Sequence, residues 1–115
     1  MKNIKENTIV FRGVKNCYFS SEIGIGSKFY FGEFISTTLN KKLATLILGN
    51  KGTLMTIILK NNGNNNYCCS LKEISVYPDE EEVIITSHCS YIVTDITKEG
   101  EIDYVNLICE GFLLD

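Results

Sequence analysis

Tyr77-Pro78-Asp79-Glu80-Glu81-Glu82-Val83-Ile84-Ile85 is the stretch around which the chain reads. Pro78 fixes its own φ and pushes Tyr77 toward extended backbone, so an aromatic–proline turn opens the segment. Val83, Ile84 and Ile85 are β-branched and favour a pleated, half-buried backbone, which predicts a strand starting near Glu82. Alternation along that strand would put Glu80 and Glu82 on one side and Glu81 on the other. Two carboxylates beside a rigid turn are a candidate for chemistry. The same acids also read as a solvated turn, and the segment alone does not choose.

The neighbouring segments are mostly strand-like. Asn7 to Val14 is apolar and β-branched, with Gly13 near its end and Arg12 inside it. A guanidinium there is costly unless it snorkels to water from an edge or meets an anion such as a phosphate or carboxylate. Asn16 to Ser27 is loop-like, and its Gly24-Ile25-Gly26 lacks the third glycine of a dinucleotide fingerprint. Lys28 to Ile35 is aromatic-rich and predicts one strand, bulged at Gly32. Ser36-Thr37-Thr38 follows, three hydroxyls that read on their own as a helix N-cap. Leu39, Leu43, Ala44, Leu46 and Ile47 then recur with helical spacing and predict an apolar stripe, stopped by Gly49-Asn50.

Thr53 to Lys60 predicts a buried strand, and the asparagine-rich run from Asn61 to Asn66 a loop tip. After the acidic turn, Val83 to Thr86, Ser90 to Thr97 and Ile102 to Cys109 predict strands. Lys98-Glu99-Gly100 joins the last two as a hairpin turn. The expected class is α+β, mostly antiparallel sheet with one clear helix.

The 115 residues suit one domain, and 44% hydrophobic with 22% charged residues is the balance of a globular protein. The formal net charge is −3 and the basic residues form no block, which argues against nucleic acid or an anionic membrane as partner. No apolar run is long enough to cross a bilayer as a helix, and the first residues lack a signal-peptide core. The cysteines are Cys17, Cys68, Cys69, Cys89 and Cys109, with His88 the single histidine. Without paired ligand clusters they do not read as a metal site, and small buried thiols in a reducing compartment is the plainer account. Cys89 beside His88 is a formal nucleophile–base pair, but strand neighbours face opposite ways. The location expected is cytoplasmic rather than secreted.

Three features stand in order: Phe11-Arg12-Gly13 on the first strand, Phe34-Ile35-Ser36-Thr37-Thr38, and Glu80-Glu81-Glu82 running into Val83-Ile84-Ile85 after Tyr77-Pro78. The ordered trio resembles the arginine–serine–glutamate branch of the ADP-ribosyltransferase family across roughly residues 8 to 109. The resemblance implies NAD as substrate, held in a cleft between two packed, mostly antiparallel β-sheets. It implies that Arg12 holds a phosphate and that Gly13 lets the backbone approach the nicotinamide amide. Ser36 would orient the catalytic glutamate, with Thr37 and Thr38 in the same NAD-binding strand. Thr38 stands where the family usually has serine. Glu82 would be the catalytic acid, Glu80 the acid that prepares an arginine acceptor, and Tyr77 the aromatic that meets the protein substrate. No metal is implied.

Family domains usually carry a helical segment before the arginine strand, and about seven residues precede it here. A catalytic piece of a longer chain, a pared-down transferase and a domain that no longer turns over all fit that departure. The expectation is one catalytic domain over residues 1–115 that moves ADP-ribose from NAD to an arginine of an acceptor protein, with NAD hydrolysis as a side reaction. The alternative is a non-catalytic domain of the same fold that binds a nucleotide or a protein partner.

Overall fold

The computed structural model describes residues 8–19, 22–31, 34–60, 68–70, 82–85 and 89–112. In chain order the elements are β1 (Thr8–Lys15), β2 (Lys28–Tyr30), β3 (Ile35–Thr38), α1 (Lys41–Leu48), β4 (Gly52–Leu59), β5 (Cys68–Ser70), β6 (Glu82–Ile85), β7 (Cys89–Glu99) and β8 (Ile102–Phe112). The strands form a sheet in the order β2-β7-β8-β4-β1-β3-β6-β5. Every pairing is antiparallel except β4 with β8, whose register runs from Gly52–Ile102 to Leu59–Cys109.

The two packed sheets expected above are thus one continuous ladder. Its halves meet at a single residue pair: β1 joins β3 only through Phe11 opposite Thr38, whereas β1 and β4 pair from Thr8–Leu59 to Lys15–Gly52. The predicted strand from Lys28 to Ile35 is also divided. Lys28–Tyr30 lies at one edge beside β7, and Ile35 opens β3 in the other half of the sheet, next to β6. Residues 32 and 33, where a bulge was expected, lie outside the described residues.

Alternation sorts the core. One face buries Val10, Ile57, Leu59, Val83, Ile85, Val93, Val105 and Leu107. Phe29, Phe31 and Phe19 pack over it, with the Phe29 ring stacked on Tyr91 at 5.6 Å between centroids. The other face takes α1, whose Ala44 and Leu48 pack on Leu54 beside Phe11, Ile102 and Tyr104. The hairpin turn falls one residue later than expected, at Gly100-Glu101, with Gly100 at φ 60°.

Helix α1 differs from its sequence reading in two respects. Its N-cap is Asn40, whose side-chain oxygen accepts from the amides of Lys42 and Leu43 at 3.0 and 3.3 Å. The hydroxyl triplet belongs to β3 instead, although Thr38 Oγ1 supports the cap by accepting from Asn40 N at 3.0 Å. The buried stripe is Ala44 and Leu48, while Leu46 is 78% and Ile47 55% exposed. An eight-residue helix lying on one sheet face has room for a narrow seam only.

Candidate active site

β3 and β6 pair antiparallel with Ser36 opposite Ile84, Thr37 opposite Val83 and Thr38 opposite Glu82. Period-two alternation therefore puts Ser36 and Thr38 on the same side as Glu82, while Ile35, Thr37, Val83 and Ile85 face the core. Ser36 Oγ donates to Glu82 Oε2 across the diagonal of this ladder. The backbone carbonyl of Ser36 accepts from Arg12 Nη1 at 2.8 Å. Ser36 thus touches both charged groups, one through its side chain and the other through its main chain.

Arg12 shares a side of β1 with Val10 and Val14, the side that packs on the core. Its guanidinium escapes burial by reaching across to β3, and the residue is only half-buried. One of its five N–H groups is committed to the Ser36 carbonyl, and among the described residues it makes no ion pair with a carboxylate. Among the described residues nothing else holds the fork, whose geometry suits an anion.

Arg12, Gly13, Ser36, Thr37, Thr38 and Glu82 line one pocket of about 160 Å³. Three segments distant in sequence are thereby brought together. Thr37 is 5% exposed and its hydroxyl donates to the Val83 carbonyl at 2.8 Å, so that hydroxyl is spent on holding β3 to β6. Gly13 serves packing first: a Cβ there would sit 2.1 Å from the Ala44 carbonyl oxygen of α1. Tyr77 and Glu80 lie outside the described residues.

Phe11, Leu43, Ala44 and Ile47 complete the wall. The sequence assigned them no role at a site, because Leu43, Ala44 and Ile47 belong to the apolar stripe that reads as core. Phe11 was visible as the aromatic before the arginine, without a function of its own.

The cysteines divide. Cys89 and Cys109 are buried on β7 and β8, and hydrogen bonding to Cys89 together with burial pushes the Cys109 thiol far up, so it stays protonated at neutral pH. Cys17 is exposed, unlike the buried thiol expected. His88 and the side chains of Cys68 and Cys69 lie outside the described residues.

Known proteins are similar to this chain in sequence and in fold. The chain is 28% identical over 102 residues to the erythroblast NAD(P)(+)–arginine ADP-ribosyltransferase of Gallus gallus, covering 89% of this chain and 31% of that protein. It is 27% identical over 99 residues to ecto-ADP-ribosyltransferase 5 of Rattus norvegicus, covering 86% of this chain and 29% of that protein. The chain thus spans about a third of the length of these relatives. Among solved structures, the eucaryotic mono-ADP-ribosyltransferase ART2.2 superposes with a TM-score of 0.64 at 27% identity, over 88% of this chain and 42% of that one. Exoenzyme S of Pseudomonas aeruginosa, solved with human 14-3-3 protein beta and carba-NAD, shares the fold with a TM-score of 0.74 at 17% identity, over 93% of this chain and 50% of its own. The model of the NAD:arginine ADP-ribosyltransferases matches residues 2–110, and the chain belongs to that family.

Proposed function

We propose that this chain is the catalytic core of a mono-ADP-ribosyltransferase that moves ADP-ribose from NAD to a protein arginine and releases nicotinamide. The observation that carries the reading is the linked set Arg12–Ser36–Glu82 in one pocket, a cation and a carboxylate held by the same serine. The residues fit the substrate: a planar guanidinium fork suits a phosphate, and a carboxylate within reach suits a ribose hydroxyl. A volume of about 160 Å³ holds only part of a dinucleotide, so the remainder would lie across the open junction of β1 and β3. In this reading the two halves of the sheet on either side of that junction are the walls of the NAD cleft.

The chemistry follows from charge. The C–N bond between ribose and nicotinamide breaks with its electron pair leaving on nicotinamide, and the ribose becomes oxocarbenium-like. Glu82, fixed by Ser36, faces more positive charge in the transition state than in the ground state, so it lowers the barrier. A guanidinium nitrogen of the acceptor then bonds to the ribose carbon and gives up a proton, for which Glu80 is the base. Water in place of the acceptor gives NAD hydrolysis. Arg12 anchors the phosphates and Tyr77 meets the acceptor protein. Among the described residues no cluster of His, Cys, Asp or Glu could hold a metal, and the scheme uses none.

The test is incubation with labelled NAD and an arginine-rich acceptor. Glu82→Gln is expected to lower both transfer and NAD cleavage by about 10²-fold or more. Glu80→Gln is expected to lose transfer and keep part of the cleavage. Wild-type turnover from Glu82→Gln would end the enzymatic reading and leave the alternative, a domain that binds nucleotide without reaction.

A further inference from the structure

The outer face of α1, turned away from the sheet, is lined by Lys41, Lys42, Thr45, Leu46, Gly49 and Asn50. A second groove continues it past the helix end, where Lys15 and Lys51 join Gly49 and Asn50. In a chain of net charge −3 this gathers four lysines on one strip, and no carboxylate lines either groove among the described residues. Lys51 has a neighbour in Glu101 at 3.6 Å, a solvent-exposed pair of little strength. At the centre sits Leu46, 78% exposed, the most exposed large hydrophobic side chain among the described residues. A single apolar residue framed by cations at both ends is not what solubility requires.

From these observations we infer that the outer face of α1 is a docking strip for an acidic segment of the acceptor protein, with an apolar side chain of that segment seated on Leu46. The assignment to an acceptor rests on the transferase reading above; the charge pattern does not. Complementarity decides the chemistry of the partner. Lys41 and the C-cap Gly49 stand at the two ends of the helix, about 12 Å apart at 1.5 Å per residue, which four or five extended residues span. The matching segment therefore has acids at both ends and one apolar residue between. Single-stranded nucleic acid would want arginines and aromatic platforms, and the strip has neither. A bilayer would want a broad apolar face, and here one leucine stands between charges. The next residue on the helix, Ile47, lines the pocket of Glu82, so a segment docked on one side of α1 would hold its protein beside the reacting carbon.

The experiment uses a fluorescein-labelled peptide with a core of about five residues, acidic pairs flanking a central leucine, a length set by the strand rise. Anisotropy is expected to show binding that weakens with salt. The double variant Lys41→Glu/Lys42→Glu should lose it about ten-fold or more, and Leu46→Ser several-fold, with NAD cleavage unchanged in both. Equal binding of a peptide with lysines in place of the acids, or affinity indifferent to the charge reversal, would overturn the docking strip. So would a preference for anionic vesicles or oligonucleotide over the peptide. Binding as expected from a wild-type protein that does not cleave NAD would instead overturn the transferase reading and leave the strip standing.

Discussion

Ser36 carries the most at the scale of one residue, because its two ends hold opposite charges. Its hydroxyl binds Glu82 and its carbonyl binds Arg12. Removing the hydroxyl separates the two effects, since Ser36→Ala keeps the carbonyl and therefore Arg12. Glu82 would be left to wander by fractions of an ångström, and misplacement on that scale costs rate rather than binding. We expect Ser36→Ala to lower kcat for NAD cleavage by about 10–100-fold with KM for NAD nearly unchanged. Arg12→Lys should do the reverse. It keeps the charge but loses the planar fork, so KM should rise about ten-fold or more while kcat changes less. Steady-state kinetics on the two variants distinguishes these outcomes, and equal losses in both constants would count against the division of labour. Thr37 belongs to neither class, because its hydroxyl is committed to the Val83 carbonyl. Thr37→Val should appear as lost stability of about 1 kcal/mol, with the chemistry slowed only as far as β6 loosens.

Between single residues and the whole sheet lies the contact of α1 with β1. The helix approaches so closely at Gly13 that the Ala44 carbonyl occupies the place of a side chain. Gly13→Ala must push the helix off the strand, and overpacking against backbone costs about 1–3 kcal/mol or more, read as a fall in Tm of roughly 5–15 °C. Asn40→Ala removes the cap alone and should cost about 1 kcal/mol. If Gly13→Ala melted no earlier than Asn40→Ala, the helix would be looser on β1 than its geometry implies. The same contact explains what the sequence could and could not show. The helix, its glycine stop and most strands were legible from local pattern, since capping chemistry and β-branched runs act over a few residues. Which apolar residues of α1 face inward was not, because Leu46 and Ala44 differ in their tertiary neighbours and not in their spacing. Lys28 to Ile35 read as one strand for a similar reason: its aromatics favour extended backbone throughout, and the break lies in the partners each end finds, β7 and β6. The trio of Arg12, Ser36 and Glu82 was legible only as an ordered motif, since no local rule brings residues 12 and 82 together.

Across the whole molecule the governing feature is the unequal stitching of the sheet. β8, the last strand in the chain, lies inside the sheet between β7 and β4, an order that hydrophobic pattern cannot express. Its two long ladders tie it to β7 from Glu99–Ile102 to Cys89–Phe112 and to β4 along the full length of that strand. By contrast β3, β6 and β5 are short and, among the described residues, reach the rest of the sheet's backbone ladder through Phe11 and Thr38 alone. Opening β3–β6–β5 sacrifices little backbone pairing with the larger half, so it should occur at lower free energy than global unfolding. Native-state hydrogen exchange tests this directly. Amides of β3 and β6, including Val83 and Ile85, should exchange through an opening about 1–3 kcal/mol below that of Val105 and Leu107 in β8. The site lies across this joint, with Arg12 on one half and Ser36 and Glu82 on the other. A ligand gripping both halves stabilises only states in which they are joined, so saturating NAD should slow β3 and β6 by a larger factor than β8. Uniform slowing would mean that the sheet opens as one unit. No slowing anywhere at saturating NAD would remove the nucleotide from the joint altogether.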